Sequence, residues 1–163
     1  MCGRVRLSSD VSEIKLVFSI PPHRPTPNFP PSWNVAPTDS LPVVRYDAKA
    51  GERSLDLLRW GLVPYWAKDI KVGFANINAK AEGIETKPAF REAFQRRRCL
   101  VPVDNFYEWA KTATGKQPYA IGVAEMMPLR FSVTSRYASS SDNGSMIGVY
   151  SAKISLICSE IAL

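Results

Sequence analysis

Long apolar runs are missing from this 163-residue sequence. No stretch approaches the roughly 18 consecutive apolar residues of a membrane span, so a helical membrane protein is not expected. Disulfide-framework spacing is missing too. The three cysteines, Cys2, Cys99 and Cys158, are an odd number without metal-like spacing. That argues against a stapled secreted domain and for a reducing compartment. The opening MCGRVRLSSD has no apolar core of a signal peptide, so a cytoplasmic location is expected. In that setting the sequon Asn143-Gly144-Ser145 carries no meaning. There is no internal repeat and only one histidine, His23. Neither a metal nor a cofactor is expected.

The residues that are present describe an ordinary globular domain. Hydrophobic residues make up 45% and charged residues 22%. A chain of this length can bury about 70% of its unfolded surface. The formal net charge is +6. An anionic partner is expected, nucleic acid before others, although a merely basic protein carries the same balance.

Ser9 or Asp10 can cap a short helix, with Glu13 closing a capping box if Asp10 is the cap. Ile14, Val17 and Phe18 then share a face, and Pro21-Pro22 ends the helix. Seven prolines between Pro21 and Pro37 exclude helix and central strand there, leaving a stiff extended segment. Residues 41–46 and 54–63 form a hairpin around DAKAG. Residues 64–80 read as a loop, and 88–98 as a helix with Phe90 and Phe94 one turn apart. Residues 99–103, 106–109 and 118–123 read as short strands, with TATGK as a turn. The pattern predicts an α+β fold with a mainly antiparallel sheet. Composition changes after Pro128: from Arg130 onward there are nine serines and neither proline nor tryptophan, while all four tryptophans precede residue 110.

Cys2 follows the initiator methionine, which is usually trimmed before a small residue. Trimming would leave an amine with a pKa of about 7.7–8.0 and a thiol near 8.5 on one residue, both partly nucleophilic at neutral pH. Two chemistries fit. A 1,2-aminothiol converts an aldehyde first to an imine and then, by thiolate attack, to a five-membered thiazolidine. Alternatively, the thiolate attacks an amide with its own amine as base, as in N-terminal nucleophile hydrolases. A cysteine there by accident is the third reading.

MCGR (1–4), WNVAPT (33–38), RWGLVPYWAKD (59–69), NINAKAE (76–82), KPAFREAF (87–94), RRCLVPVDNFYEW (97–109) and KQPY (116–119) occur in this order. Together they resemble the SOS-response-associated peptidase family, whose members shield abasic sites in single-stranded DNA by covalent crosslinking. The resemblance spans residues 1–128 and implies a barrel-like antiparallel fold with a few short helices. By that resemblance Cys2 is the nucleophile, freed by autocatalytic loss of Met1. Glu108, flanked by Tyr107 and Trp109, is the proton-transfer carboxylate. Asn78 orients the Cys2 end or the opened sugar. Arg4, Asn34, Pro37, Trp66, Lys80 and Lys87 line the DNA groove, where an indole can stack on an unpaired base. Without the resemblance, Glu108 reads as a surface strand residue, Asn78 as an Asx turn and Trp66 as a core tryptophan. Arg96, Arg97 and Arg98 read as a solvated face complementing the dipole of the helix they end.

The sequence departs from the family pattern in two places. Lys80 stands where the family usually has arginine, keeping the charge without the bidentate fork. The family's downstream histidine motif has no counterpart, and His23 matches nothing in it. That absence bears on rate and reversal of the link rather than on its formation. Residues 129–163 are expected as an atypical Ser-rich segment replacing the family's last strands, so the fold's C-terminal part is atypical or incomplete. A missing sheet edge would invite a homodimer. The expected function is an abasic-site sensor of single-stranded DNA, cytoplasmic and nucleoid-associated, with peptidase, hydrolase and lyase-like activity. The alternatives are a glutamine-amidotransferase-like hydrolase and a non-covalent single-strand DNA-binding module.

Overall fold

The computed structural model describes residues 3–122 in full and, as backbone, the strands Leu129–Arg136 and Met146–Ser151. The expected nucleophile Cys2 lies outside the described residues.

Among the described residues, ten strands form two sheets. One contains β1 (Val5–Leu7), β2 (Ser32–Val35), β7 (Asn105–Thr112) and β8 (Gly115–Gly122), in the order β2-β1-β7-β8. The other runs β4 (Glu52–Trp60), β3 (Ser40–Asp47), β6 (Arg98–Val103), β9 (Leu129–Arg136), β10 (Met146–Ser151) and β5 (Asn78–Lys80). Strand β10 also pairs parallel with the end of β4, Met146 opposite Arg59 and Ile147 opposite Trp60. That pairing closes β4, β3, β6, β9 and β10 into a ring, the barrel-like arrangement expected. All other pairings are antiparallel except β10 with β5.

The segment beyond Pro128, in which the sequence showed no family strand, contributes β9 and β10. Strand β9 lies along the whole of β6, and β10 bridges the ends of the ring. The two strands pair antiparallel with each other, but their pairings with β6, β4 and β5 are non-local and leave no local signal in the sequence.

Helix α1 (Val11–Val17) starts at Asp10, whose Oδ1 accepts from Ser12 N at 2.7 Å. Ile14 and Phe18 are buried with Leu7, Ile20, Val44 and Leu55. The helix thus seats its apolar stripe on the outside of the β3–β4 hairpin. The proline-rich segment is not extended throughout: it turns at residues 22–24, where Arg24 N donates to Pro21 O at 3.1 Å. Four proline-free residues further on form β2, an edge strand, where such a segment is tolerated. The main core lies between the sheets: Val5, Val35, Leu41, Val43, Leu58, Trp60, Cys99, Val101, Val103 and Phe106.

The segment expected as a loop holds a 3-10 helix (Ile70–Asn76) and β5. Helix α2 (Arg91–Arg96) is shorter than the expected 88–98. Arg97 leaves helical geometry and Arg98 already belongs to β6.

Candidate functional site

Strand β1 is only three residues long but is held on both sides. Val5 lies opposite Val35 of β2 and Phe106 of β7. Tyr107 N donates to Arg4 O at 2.9 Å. Beyond its C-terminal end, Asp104 clamps the chain. Its Oδ2 accepts from Ser8 N (2.6 Å) and Ser8 Oγ (2.7 Å), and its Oδ1 from Ser9 Oγ (2.5 Å). Arg6 Nε lies 3.8 Å from Oδ2. Partial burial pushes the Asp104 carboxyl up. The hydrogen bonds from Ser9 and Ser8 and the charge of Arg6 outweigh it, and the group sits below its ordinary value.

With Val5 and Phe106 turned into the core, alternation turns Arg4, Tyr107 and Trp109 to the other face of the sheet. There Arg4 Nη1 donates to Asn34 Oδ1 at 2.9 Å, and Tyr107 Oη donates to Trp33 O at 2.9 Å. These bonds join β1, β2 and β7 on that face. Glu108 is half-buried and has Tyr119 as its cross-strand neighbour. Its chain neighbours Tyr107 and Trp109 do not flank its carboxylate, because successive strand residues point to opposite faces. The sequence motif suggested that flanking; the pleat removes it.

Asn78 and Lys80 come from a second region. After β4, Gly61 adopts φ 122 and passes so close to Gly73 that a Cβ on Gly61 would meet Gly73 O at 2.8 Å. The buried Asn76 ties this crossing. Its Nδ2 donates to Leu62 O (3.0 Å) and Val72 O (3.2 Å), and its carbonyl accepts from Leu62 N (3.1 Å). Trp60 Nε1 donates to Ile77 O at 2.8 Å. The loop is therefore rigid at its base while Tyr65, Trp66, Ile70 and Phe74 stand exposed on it, Trp66 at 53%. Asn78 follows Ile77 directly, half-buried, its Oδ1 shielded from solvent; Lys80 is exposed at the end of β5.

Pro37 lies between β2 and β3, ahead of Thr38 at φ 80, a strained conformation for a β-branched residue. Three bonds hold Thr38 there: its N to Trp60 O, Trp60 N to Asp39 O, and Arg59 Nε to Thr38 O. Lys87 is half-buried, and its carbonyl accepts from Phe90 N and Arg91 N at the start of α2.

The structure thus brings Arg4 and Asn34 into direct contact. It sets Asn78 and Glu108 one or two residues from Ile77 and Phe106, which pack on the same core. Trp66, Lys80 and Lys87 belong to elements beyond that contact. The clamp at Asp104 and the Tyr107–Trp33 bond were not legible in the sequence, since each joins residues far apart in the chain. Arg97 pairs with Glu92 at 3.0 Å, and Arg98 lies 5.9 Å from the Phe94 ring centre. His23 pairs with Glu52 at 3.1 Å on the β3–β4 hairpin. Among the described residues no cluster of histidine, cysteine or carboxylate side chains could hold a metal, and no helix is long and apolar enough to cross a membrane.

The family profile described as SOS response associated peptidase (SRAP) matches residues 1–153. This chain is a member of the SRAP family. The match extends through both β9 and β10. Similar curated proteins include the abasic site processing protein YoqW of Bacillus subtilis, 42% identical over 111 residues, which are 68% of this chain and 49% of YoqW. The abasic site processing protein HMCES of Gallus gallus is 38% identical over 103 residues, 57% of this chain and 31% of HMCES. The chain spans about half the length of the Bacillus SRAP relatives it matches. Among solved structures, a Bacteroides thetaiotaomicron protein superposes with TM-score 0.77 at 19% identity, covering 91% of this chain and 67% of that one. A phage-related protein of Bordetella bronchiseptica gives TM-score 0.68 at 26% identity, covering 91% and 68%. Both show the same SRAP fold.

Proposed function

We propose that this chain binds abasic sites in single-stranded DNA and links to them covalently through Cys2. The observation that carries the reading is the double anchoring of β1. Its first residues are held between β2 and β7, next to the Arg4–Asn34 contact, and only Gly3 separates Arg4 from Cys2. Membership of the SRAP family and the printed names of its relatives support the same reading.

Hydrolysis of the Met1–Cys2 peptide bond frees the α-amine. The amine attacks the aldehyde carbon of the ring-opened deoxyribose. The resulting carbinolamine loses water as the Glu108 carboxyl supplies a proton to the leaving oxygen. The Cys2 thiolate then attacks the imine carbon, the nitrogen takes up a proton, and a thiazolidine closes. The condensation of aminothiol and aldehyde releases one water, and the preceding hydrolysis consumes one. Asn78, held at the rim of the core, orients the opened sugar through its amide. Arg4, Asn34, Pro37, Trp66, Lys80 and Lys87 line the groove for the flanking strand, the cations screening phosphates and Trp66 stacking on a base. The protein works in the cytoplasm, at the nucleoid.

Denaturing electrophoresis after incubation with an oligonucleotide bearing one abasic site tests this. A slow-migrating band is expected from the wild type and not from Cys2→Ala. A folded preparation giving no Cys2-dependent band sinks the proposal.

A further inference from the structure

The β7–β8 hairpin extends the face that carries Arg4 and Asn34 well beyond those residues. In register, Tyr107 lies opposite Ala120, Trp109 opposite Pro118, and Lys111 opposite Lys116. Cross-strand partners share a face, and so do residues two apart on one strand. Tyr107, Trp109, Lys111 and Lys116 therefore share the face on which Arg4 meets Asn34. All eight residues of β8 are exposed, and Trp109 is 43% exposed.

One feature of this stretch goes against stability. Like charges directly opposite each other on a sheet are destabilising, and here two lysines occupy such a pair. No offsetting charge is seen among the described residues: from Trp109 to Ile121 the chain has no acidic residue, and neither lysine forms an ion pair with another described residue. The hairpin's turn is nevertheless bonded: Thr112 Oγ1 donates to Gly115 O at 2.9 Å. An indole stands two residues before the lysine pair on the same face, about 6.6 Å away along the strand. Paired cations beside an exposed aromatic face suit a nucleic-acid strand, with a phosphate between the ammonium groups and a base against the ring.

We propose that Lys111 and Lys116 jointly seat a backbone phosphate of the single-stranded DNA flanking the lesion, outside the groove described above. The proposal rests on the DNA-binding reading and assigns a phosphate seat to two residues outside the set expected to line the groove, although Lys116 opens the KQPY motif. The site takes a phosphodiester without regard to base identity. Its occupation offsets the repulsion between the two lysines.

The test uses fluorescence anisotropy with an unmodified single-stranded oligonucleotide over a salt series, alongside crosslinking to an abasic oligonucleotide. In the double variant Lys111→Gln, Lys116→Gln, affinity should fall several-fold at low salt. The log–log salt slope should become shallower by about 0.7, the value for one lost phosphate contact on a single strand. The thermal midpoint should hold or rise, because a repulsive pair has gone. Lys111→Arg with Lys116→Arg should restore affinity and slope. Oligonucleotides extending from the lesion in only one direction should show the loss for one polarity alone. A wild type that binds and crosslinks, with unchanged affinity and slope in the glutamine variant, overturns the lysine seat and leaves the DNA reading standing. A wild type that neither binds nor crosslinks overturns both.

Discussion

Asp104 accepts hydrogen bonds from both the backbone N–H and the hydroxyl of Ser8, 96 residues away in the chain, at 2.6 and 2.7 Å. Its side chain is only 17% exposed, so these bonds are poorly replaced by water. Asp104→Ala leaves the Ser8 N–H without its partner and should cost about 1–3 kcal/mol, measured by urea unfolding. It should also slow crosslinking, because β1 carries the N-terminal residues. A variant as stable and as fast as wild type would remove Asp104 from any positioning role.

The same carboxylate sets an acid limit. Its folded-state value lies below the unfolded reference of 3.8. The stability it contributes is therefore complete above that reference and is lost as pH falls through the lower folded value. Asp10, Asp47 and Glu52 shift in the same direction. Thermal midpoints should be insensitive to these groups near neutrality and fall below about pH 4. Asp104→Asn should flatten that acid fall, with a lower midpoint at pH 7. An identical acid profile in the variant would refute the assignment.

Two tryptophans six residues apart should behave differently. Trp60 is 1% exposed and bonded to Ile77 O, so Trp60→Phe should lower stability through the lost bond and part of its volume. Trp60→Ala should cost about 3–5 kcal/mol. Trp66, exposed on its loop, should tolerate Trp66→Ala with no change in unfolding midpoint. The same variant should lose about 1–3 kcal/mol of single-strand affinity. Equal stability losses in the two alanine variants would contradict their placement.

Gly73→Ala tests the loop base. Its Cβ would fall 2.9 Å from Gly61 O and 3.2 Å from Val63 Cγ2. Backbone cannot yield there as a flexible side chain would, so the segment carrying Phe74 must move. Lower stability and a larger fall in DNA affinity than in Trp66→Ala are expected, read by calorimetry and anisotropy. Wild-type behaviour in both would show that the crossing has slack.

Arg4→Gln should weaken binding to all single strands alike and make the salt slope shallower by about 0.7. It should not alter preference among bases, because the residue meets Asn34 through its guanidinium and offers no base edge a unique pattern. A sequence-dependent loss would give Arg4 a different task.

Local pattern carried much of this architecture into the sequence. Asp10, Ile14 and Phe18 announce α1, and two apolar-rich runs, 41–46 and 54–63, on either side of the DAKAG turn announce the β3–β4 hairpin. Strand β5 was invisible, since three residues form it only by pairing with β10. Strand β1 was missed for a similar reason: its order comes from β2 and β7. Proline density hid β2, whose four residues sit at a sheet edge. The face shared by Arg4 and Asn34 could not be read either, because a cross-strand register is not a property of either segment alone. Motif order did single out the residues expected to bind, but their contacts belong to the fold.

The ring closed by β10 has a consequence for biosynthesis. Residues 59 and 60 wait for partners at 146 and 147, so most of the barrel must leave the ribosome before its seam can form. Until then β4 and β6 are unsheathed edges, open to wrong partners. Such distant pairing also favours slow folding. Translation pauses or chaperone holding early in the chain should therefore raise the yield of native protein more than equivalent measures after Ser151.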